Sequence, residues 1–326
     1  MVDILIIDKM LDLSEIEILQ QQLYRYADDF HLLNQIQIEQ QGVLEQALAY
    51  RGLIKRLEVA LENREFCLFF QPKVDIQKGV IFGAEALIRW QHPELGLLEP
   101  GDFLPQIVGH EIMLKLDAWV INEALAQMTD WLKFGLQLKI SVNVTALSLQ
   151  TEGFIEQLSH VLQRYSKIKP ENLELEILET EALTNLAQVA CLIKDCQLLG
   201  LSVVLDDFGT GYCSLSYLRH FPVQAIKIDR SFVFDMLNNE EDKTLVQAII
   251  GLAHSFRRQV IAEGVETIEH GVALLQLGCY QFQGYGIAKP MPVSEWLTWL
   301  AAWEMPKQWR SSALSHAEKR ALIDKH

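Results

Sequence analysis

Residues 173–179 read Leu-Glu-Leu-Glu-Ile-Leu-Glu, and residues 202–207 read Ser-Val-Val-Leu-Asp-Asp. In the first stretch Leu173, Leu175 and Ile177 alternate with Glu174 and Glu176, the period of two that a strand imposes on its side chains. The second is a short apolar run closed by two carboxylates. Between them the pattern at Leu183–Leu199 is helical, so the segment reads strand, helix, strand. A crossover of that length joins parallel strands and lays its helix over one face of the sheet.

The same unit repeats outward in both directions. The pattern predicts further strands at Phe66–Pro72, Val80–Ile88, Leu138–Val144, Ala225–Ile228, Gln259–Ala262 and Tyr280–Gln283. It predicts further helices near Leu116–Phe134, Thr151–Tyr165, Lys243–Phe256, Ile268–Leu277 and Val293–Trp303. Eight such strands close a barrel, and a barrel of about 250 residues uses most of the 326 present. The connection between the first two strands is too short for a parallel crossover, so one of them must run antiparallel. The expected fold is α/β, a modified TIM (β/α)8 barrel with one antiparallel strand, preceded by an N-terminal helical segment. The expected divisions are 1–54, 55–303 and 304–326.

In the leading segment, Leu19, Leu23, Tyr26, Phe30 and Leu33 follow a heptad seam, which turns polar at Gln37 and Gln40 and recovers at Leu44 and Ala47. A signalling or dimerising coiled coil and a helix packed on its own domain are both open readings. Residues 1–12 suit a leftover edge strand of a larger upstream domain. The tail after Trp303 carries no motif and reads as a solvated helix.

Composition excludes several classes. The net charge of −15 argues against a nucleic-acid groove, because phosphate backbones are repelled. No run approaches the roughly 20 apolar residues of a membrane span, and the start, with Asp3 and Asp8 and no basic residue before its apolar core, is not a secretion signal. Five cysteines without a CxxC pair favour neither a disulfide framework nor a zinc site, so reduced thiols and a cytoplasmic location are expected. No GxGxxG or GxxxxGKS loop indicates a nucleotide fold of those kinds.

What stands out is a set of polar residues on otherwise apolar strands. Glu85 and Arg89, Asn143, Glu176, Asp206 with Asp207, Lys227, Glu263 and Gln283 each sit on a different strand or at its end. Any one alone is a solvated or edge charge, and Asp206–Asp207 alone would serve as a helix N-cap pair. Seven strands each bringing a polar group to the C-terminal end of a barrel is the layout of a barrel active site. Several carboxylates and an Asn crowded together call for divalent cations, and an all-oxygen set favours Mg2+ or Mn2+ over Zn2+.

The motifs Gln71-Pro72-Lys73, Glu85-Ala86-Leu87, Ser141-Val142-Asn143, Asp206-Asp207-Phe208-Gly209-Thr210-Gly211-Tyr212, Lys227-Ile228-Asp229, Ala262-Glu263-Gly264-Val265-Glu266 and Gln283-Gly284-Tyr285 occur in one order and spacing. Together they resemble the EAL-domain cyclic di-GMP phosphodiesterases over about residues 55–303. The resemblance implies hydrolysis of cyclic di-GMP to linear 5′-pGpG with two divalent cations. It assigns the metal ligands to Glu85, Asn143, Glu176, Asp206 and Asp207, with Glu263 beside the second ion and a candidate proton acceptor. Lys227 would contact the nucleophilic water, Gln71 and Arg89 would hold the dinucleotide, and Gln283 would support the water network. Glu179 would anchor the loop Phe208–Cys213 and couple it to a homodimer interface. An upstream sensor domain or a regulatory partner would supply the input. The chain departs from the family pattern at Leu178, where a Thr is usual, at Cys213, where a Ser is usual, and over Gln106–Glu111. The alternative is a catalytically silent cyclic di-GMP receptor signalling through its N-terminal helix; retention of every metal ligand favours the enzyme.

Overall fold

The computed structural model describes residues 47–182, 186–211 and 221–313. The seam through residue 46, residues 1–12 and Cys213 lie outside the described residues. The chain forms two compact units, Met1–Val59 and Ala60–His326. In the first, described residues 47–59 are helical.

The second unit is a closed barrel. Its strands are β1 (Phe66–Asp75), β2 (Val80–His92), β3 (Gly96–Leu98), β4 (Lys139–Asn143), β5 (Leu173–Leu178), β6 (Ser202–Phe208), β7 (Ala225–Ile228), β8 (Gln259–Ala262), β9 (Gln281–Phe282) and β10 (Met291–Pro292). From β2 through β4 to β9 each neighbour is parallel. β1 runs antiparallel to both β2 and β9 and so closes the circle. The expected antiparallel strand is therefore the first. β3 and β10 are short antiparallel additions that the alternation did not reveal. Helices Ile112–Leu132, Leu186–Leu198, Glu240–Ser255 and Ile268–Leu277 follow β3, β5, β7 and β8.

The alternation explains which side chains fill the barrel. Ala84, Ala86 and Ile88 of β2 and Leu173, Leu175 and Ile177 of β5 are buried toward the helices, while Glu85, Arg89, Glu174 and Glu176 on the opposite faces are also buried. Both faces of these strands are thus out of water, and the inward face is charged. Gly83 is required where β2 meets β4, since an added Cβ would lie 2.3 Å from the Lys139 carbonyl oxygen.

The solvated reading of the tail does not hold for its described part. Residues 307–313 are helical, and Trp309 is 1% exposed. Its ring lies 5.6 Å from that of Phe282, and its Nε1–H donates to the Ile268 carbonyl at 2.9 Å. Gly271 makes the room, because a Cβ there would approach Nε1 to 2.3 Å. An aromatic residue in a polar stretch gives no periodic signal, so only the packing reveals it.

Candidate active site

The C-terminal ends of the parallel strands open into a cavity of about 560 Å3. Gln71, Glu85, Arg89, Asn143, Asp206, Asp207, Lys227, Glu263 and Gln283 all line it. Of the residues singled out in the sequence, Glu176 lies just beneath, 1% exposed, and Glu179 stands apart at the neighbouring loop.

Its centre is the Lys227 ammonium, 1% exposed. Glu263 lies 2.6 Å from Nζ, Glu176 2.7 Å, Asp206 3.1 Å and Glu85 3.3 Å. Burial alone would drive the lysine toward neutrality, but the carboxylates outweigh it and hold its pKa well above the usual value. The reverse holds for the acids, since four carboxylates share one ammonium. Burial first, then Asp206 and Glu85, push Glu263 well above the carboxylate range against the pull of Lys227. Burial and Glu85 raise Glu176. Asp206 is raised to about 6 by burial and its acidic neighbours, and Asp207 to about 7 by burial, Asp206 and Asp229. Glu85 alone of this group is lowered. Burial pushes it up, yet Lys227 and the amides of Gln283 and Asn143 prevail.

These shifts describe a site short of positive charge. There are two sets of oxygen ligands, Glu85–Glu176–Asp206 and Asp206–Asp207–Glu263; within each set the ligand atoms lie within 4.8 Å of one another, and Asp206 is common to both. Hard carboxylate oxygens that share too little counter-charge could hold a divalent cation.

A local irregularity brings the two aspartates together. Adjacent residues of a regular strand point to opposite faces. The β6–β7 register shifts between Leu205 and Phe208, and Asp207 takes a left-handed φ of 52°. This bulge turns both carboxylates toward the mouth. Asp206 Oδ1 also accepts the Asp207 N–H at 2.9 Å.

The amides form a second layer of order. Asn143 donates to Glu85 at 2.8 Å. Gln283 donates to Glu85 at 2.6 Å and to Gln71 at 3.0 Å, and Gln71 donates to the Ala288 carbonyl at 3.1 Å. Gln71 also pairs directly with Glu85 in the β1–β2 register. Arg89 is 5% exposed; its guanidinium sits over Phe69 at 5.4 Å, donates to the Ile88 carbonyl and lies 3.9 Å from Glu99. Glu179 accepts the Gly209 N–H at 2.7 Å and fills the space where a side chain on Gly211 would sit. It therefore touches the loop after β6.

Sequence reasoning missed three features. Lys73 is fully buried among Ser141, Glu174 and Glu176; only its place in a motif hinted at it. Asp117, on the helix Ile112–Leu132, accepts from the Thr145 N–H and hydroxyl and from the Ser148 hydroxyl, and so fixes the chain just after Asn143. A second cavity of about 590 Å3, mostly apolar, shares Leu87, Pro100, Asn143, Leu178 and Asp207 with the mouth. Leu178, the departure noted above, gives the two cavities a common apolar rim.

Residues 54–290 match the family model described as the EAL domain. Among curated proteins, the chain is 36% identical over 250 residues to the bifunctional diguanylate cyclase/cyclic di-GMP phosphodiesterase MucR of Pseudomonas aeruginosa, covering 76% of this chain and 36% of the relative. It is 36% identical over 255 residues to the cyclic di-GMP phosphodiesterase PdeR of Escherichia coli, covering 78% of this chain and 38% of the relative. The chain thus spans well under half the length of these relatives. Among solved structures, a PaMucR phosphodiesterase in complex with c-di-GMP superposes with a TM-score of 0.72 at 36% identity, covering 75% of this chain and 99% of that one. The FimX EAL domain of Pseudomonas aeruginosa bound to c-di-GMP gives 0.68 at 29% identity, covering 73% and 96%. Among the described residues no helix is long and apolar enough to cross a membrane.

Proposed function

The chain belongs to the EAL-domain family, and from that premise we propose that it hydrolyses cyclic di-GMP to linear 5′-pGpG at the barrel mouth, using two divalent cations, Mg2+ or Mn2+. The observation that carries this reading is the convergence of four carboxylates on the single ammonium of Lys227. That cluster has two overlapping ligand sets and a deficit of positive charge, at the floor of a cavity large enough for part of a dinucleotide.

Glu85, Asn143, Glu176 and Asp206 hold one cation; Asp206 and Asp207 hold the other, with Glu263 beside it. Bound there, the cations supply Lewis acidity toward the bridging phosphate and lower the pKa of water. Arg89 presents its guanidinium to the phosphates. Gln71 and Gln283 keep Glu85 oriented and offer amides to the ligand. Lys227 stays protonated and offsets charge that builds on the phosphoryl oxygens. With the deficit of positive charge made up, Glu263 would be ionised and able to accept a proton: water adds to phosphorus, its proton passes to Glu263, the P–O3′ bond breaks, and the released 3′ oxygen takes up a proton from solvent as Glu263 gives its own back. Glu179 holds the loop after β6 by its backbone and acts on the site through that loop. Residues 55–303 form the catalytic barrel, 1–54 a regulatory segment and 304–326 a C-terminal tail. The protein works in the cytoplasm as a homodimer under control of an upstream sensor domain or a regulatory partner.

The test is product analysis. Purified protein with cyclic di-GMP and Mg2+ or Mn2+ should release pGpG, and Glu85→Ala should release none. Tight binding of cyclic di-GMP without product would replace the enzyme by a silent receptor. A wild-type rate in Glu85→Ala would overturn the metal assignment.

A further inference from the structure

Below the metal-binding layer the barrel holds a second charged layer. Lys73 reaches inward from β1 and is wholly buried. Its Nζ contacts the Ser141 hydroxyl, Glu174 Oε1 at 2.7 Å and Glu176 Oε1 at 3.3 Å. Ser141 also donates to Glu174 Oε1 at 2.8 Å, and Lys139 approaches Glu174 Oε2 to 3.3 Å. Glu174 is thereby fully engaged by its own layer and holds the Lys73 ammonium in place.

Glu176 belongs to both layers. Its Oε1 faces Lys73 and its Oε2 faces Lys227 at 2.7 Å. A carboxylate free to rotate presents either oxygen, or both, to a cation. One pinned through Oε1 presents Oε2 alone. We propose that Lys73 is a positioning residue for the metal centre, anchoring Glu176 from beneath so that a single oxygen of it faces the cations. This rests on the reading of Glu176 as a metal ligand. A salt bridge that only balanced Glu174 would need no contact with Glu176. The contact is what separates a positioning role from a structural one, and losing such a partner behind a ligand typically costs about 10–100-fold in metal affinity.

The experiment measures Mn2+ binding by calorimetry, without substrate, for the full chain, Lys73→Met, and the double variant Lys73→Met with Glu174→Gln. The double variant removes the charges of both buried partners, so no charge of the pair is left uncompensated. If Lys73 positions Glu176, the double variant melts near the wild-type temperature yet binds Mn2+ about 10–100-fold more weakly. Turnover then falls at limiting Mn2+ and recovers at high Mn2+, with KM for the dinucleotide unchanged. Wild-type Mn2+ affinity in the folded double variant overturns the proposal and leaves Lys73 a counter-ion of Glu174. Should neither Lys73 variant fold, Ser141→Ala decides: it removes one tether of Lys73 and no charge, weaker Mn2+ binding supports the proposal, and unchanged binding overturns it. Failure of the wild type to bind Mn2+ would instead remove the metal reading itself.

Discussion

Replacing Lys227 by Met takes away the one cation that four carboxylates share at 2.6–3.3 Å. Met keeps the length of the side chain and most of its packing, so the change is chiefly one of charge. Removing one partner of a buried ion pair costs about 3–5 kcal/mol, because the other partner is left uncompensated. For a domain of this size each kcal/mol moves the melting temperature by roughly 2–4 °C, so the metal-free variant should melt about 6–20 °C below the wild type. Divalent cations return positive charge to the same oxygens. In saturating Mn2+ the deficit should shrink to a few degrees, and the variant should gain more from the metal than the wild type does. Turnover should not recover with stability, since the ammonium is also needed against the phosphoryl oxygens; a loss of about 10²–10³ in kcat is expected. Paired thermal melts, in chelator and in Mn2+, measure the whole cycle. An equal drop in both conditions would show that cations do not settle among these carboxylates. No drop in either would show that Lys227 is not their counter-ion.

Three further outcomes follow from the packing. Burial raises the Glu174 carboxyl, but Lys73 and Lys139 prevail and hold it at about 2 against an ordinary 4.5. A folded pKa below the unfolded one gives stability that is complete above about pH 4.5 and lost as pH falls toward 2, worth about 3 kcal/mol in all. In Glu174→Gln the acid limb of metal-free stability should flatten over that window, and an unchanged limb would assign it to other groups. Trp309→Ala should cost about 3–5 kcal/mol by urea denaturation. Gly271→Ala should be costly through the same contact, so the two losses should fall well short of adding; strict additivity would mean that they do not meet. Glu179→Ala frees the Gly209 N–H and opens space beside Gly211. It should raise proteolytic cleavage of the loop after β6 while leaving Mn2+ affinity within a few-fold of wild type, and a collapse of that affinity would place Glu179 in the metal centre.

Most of the barrel strands were legible because they carry a short apolar run ended by a polar residue. β7 and β8 begin and end where the alternation puts them, and so does the helix Ile268–Leu277. The site was legible for the same reason, since a charge on the inward face of a parallel strand has few places to go. What could not be read depends on register between strands far apart in the chain. Nothing near Lys73 says that it lies against Glu174, 101 positions on. Period-two reasoning puts Asp206 and Asp207 on opposite faces, and only the bulge with its left-handed residue reverses that. The burial of Trp309 likewise depends on the gap over Gly271, which composition does not reveal.

The antiparallel first strand has a consequence for synthesis. β1 pairs on one edge with β2, its immediate successor, and on the other with β9 and β10, whose last paired residue is Pro292. A chain growing from its N-terminus forms the β1–β2 hairpin as soon as His92 is made, then waits for residues 281–282 before the outer edge of β1 gains its first partner and for residue 292 before that edge is filled. At about 5–20 residues per second that wait is roughly 10–40 s. Throughout it the hairpin offers an open hydrogen-bonding edge to any other nascent chain. Slower translation between β2 and β10 lengthens the exposure, so the yield of soluble protein should depend on how fast that middle stretch is translated.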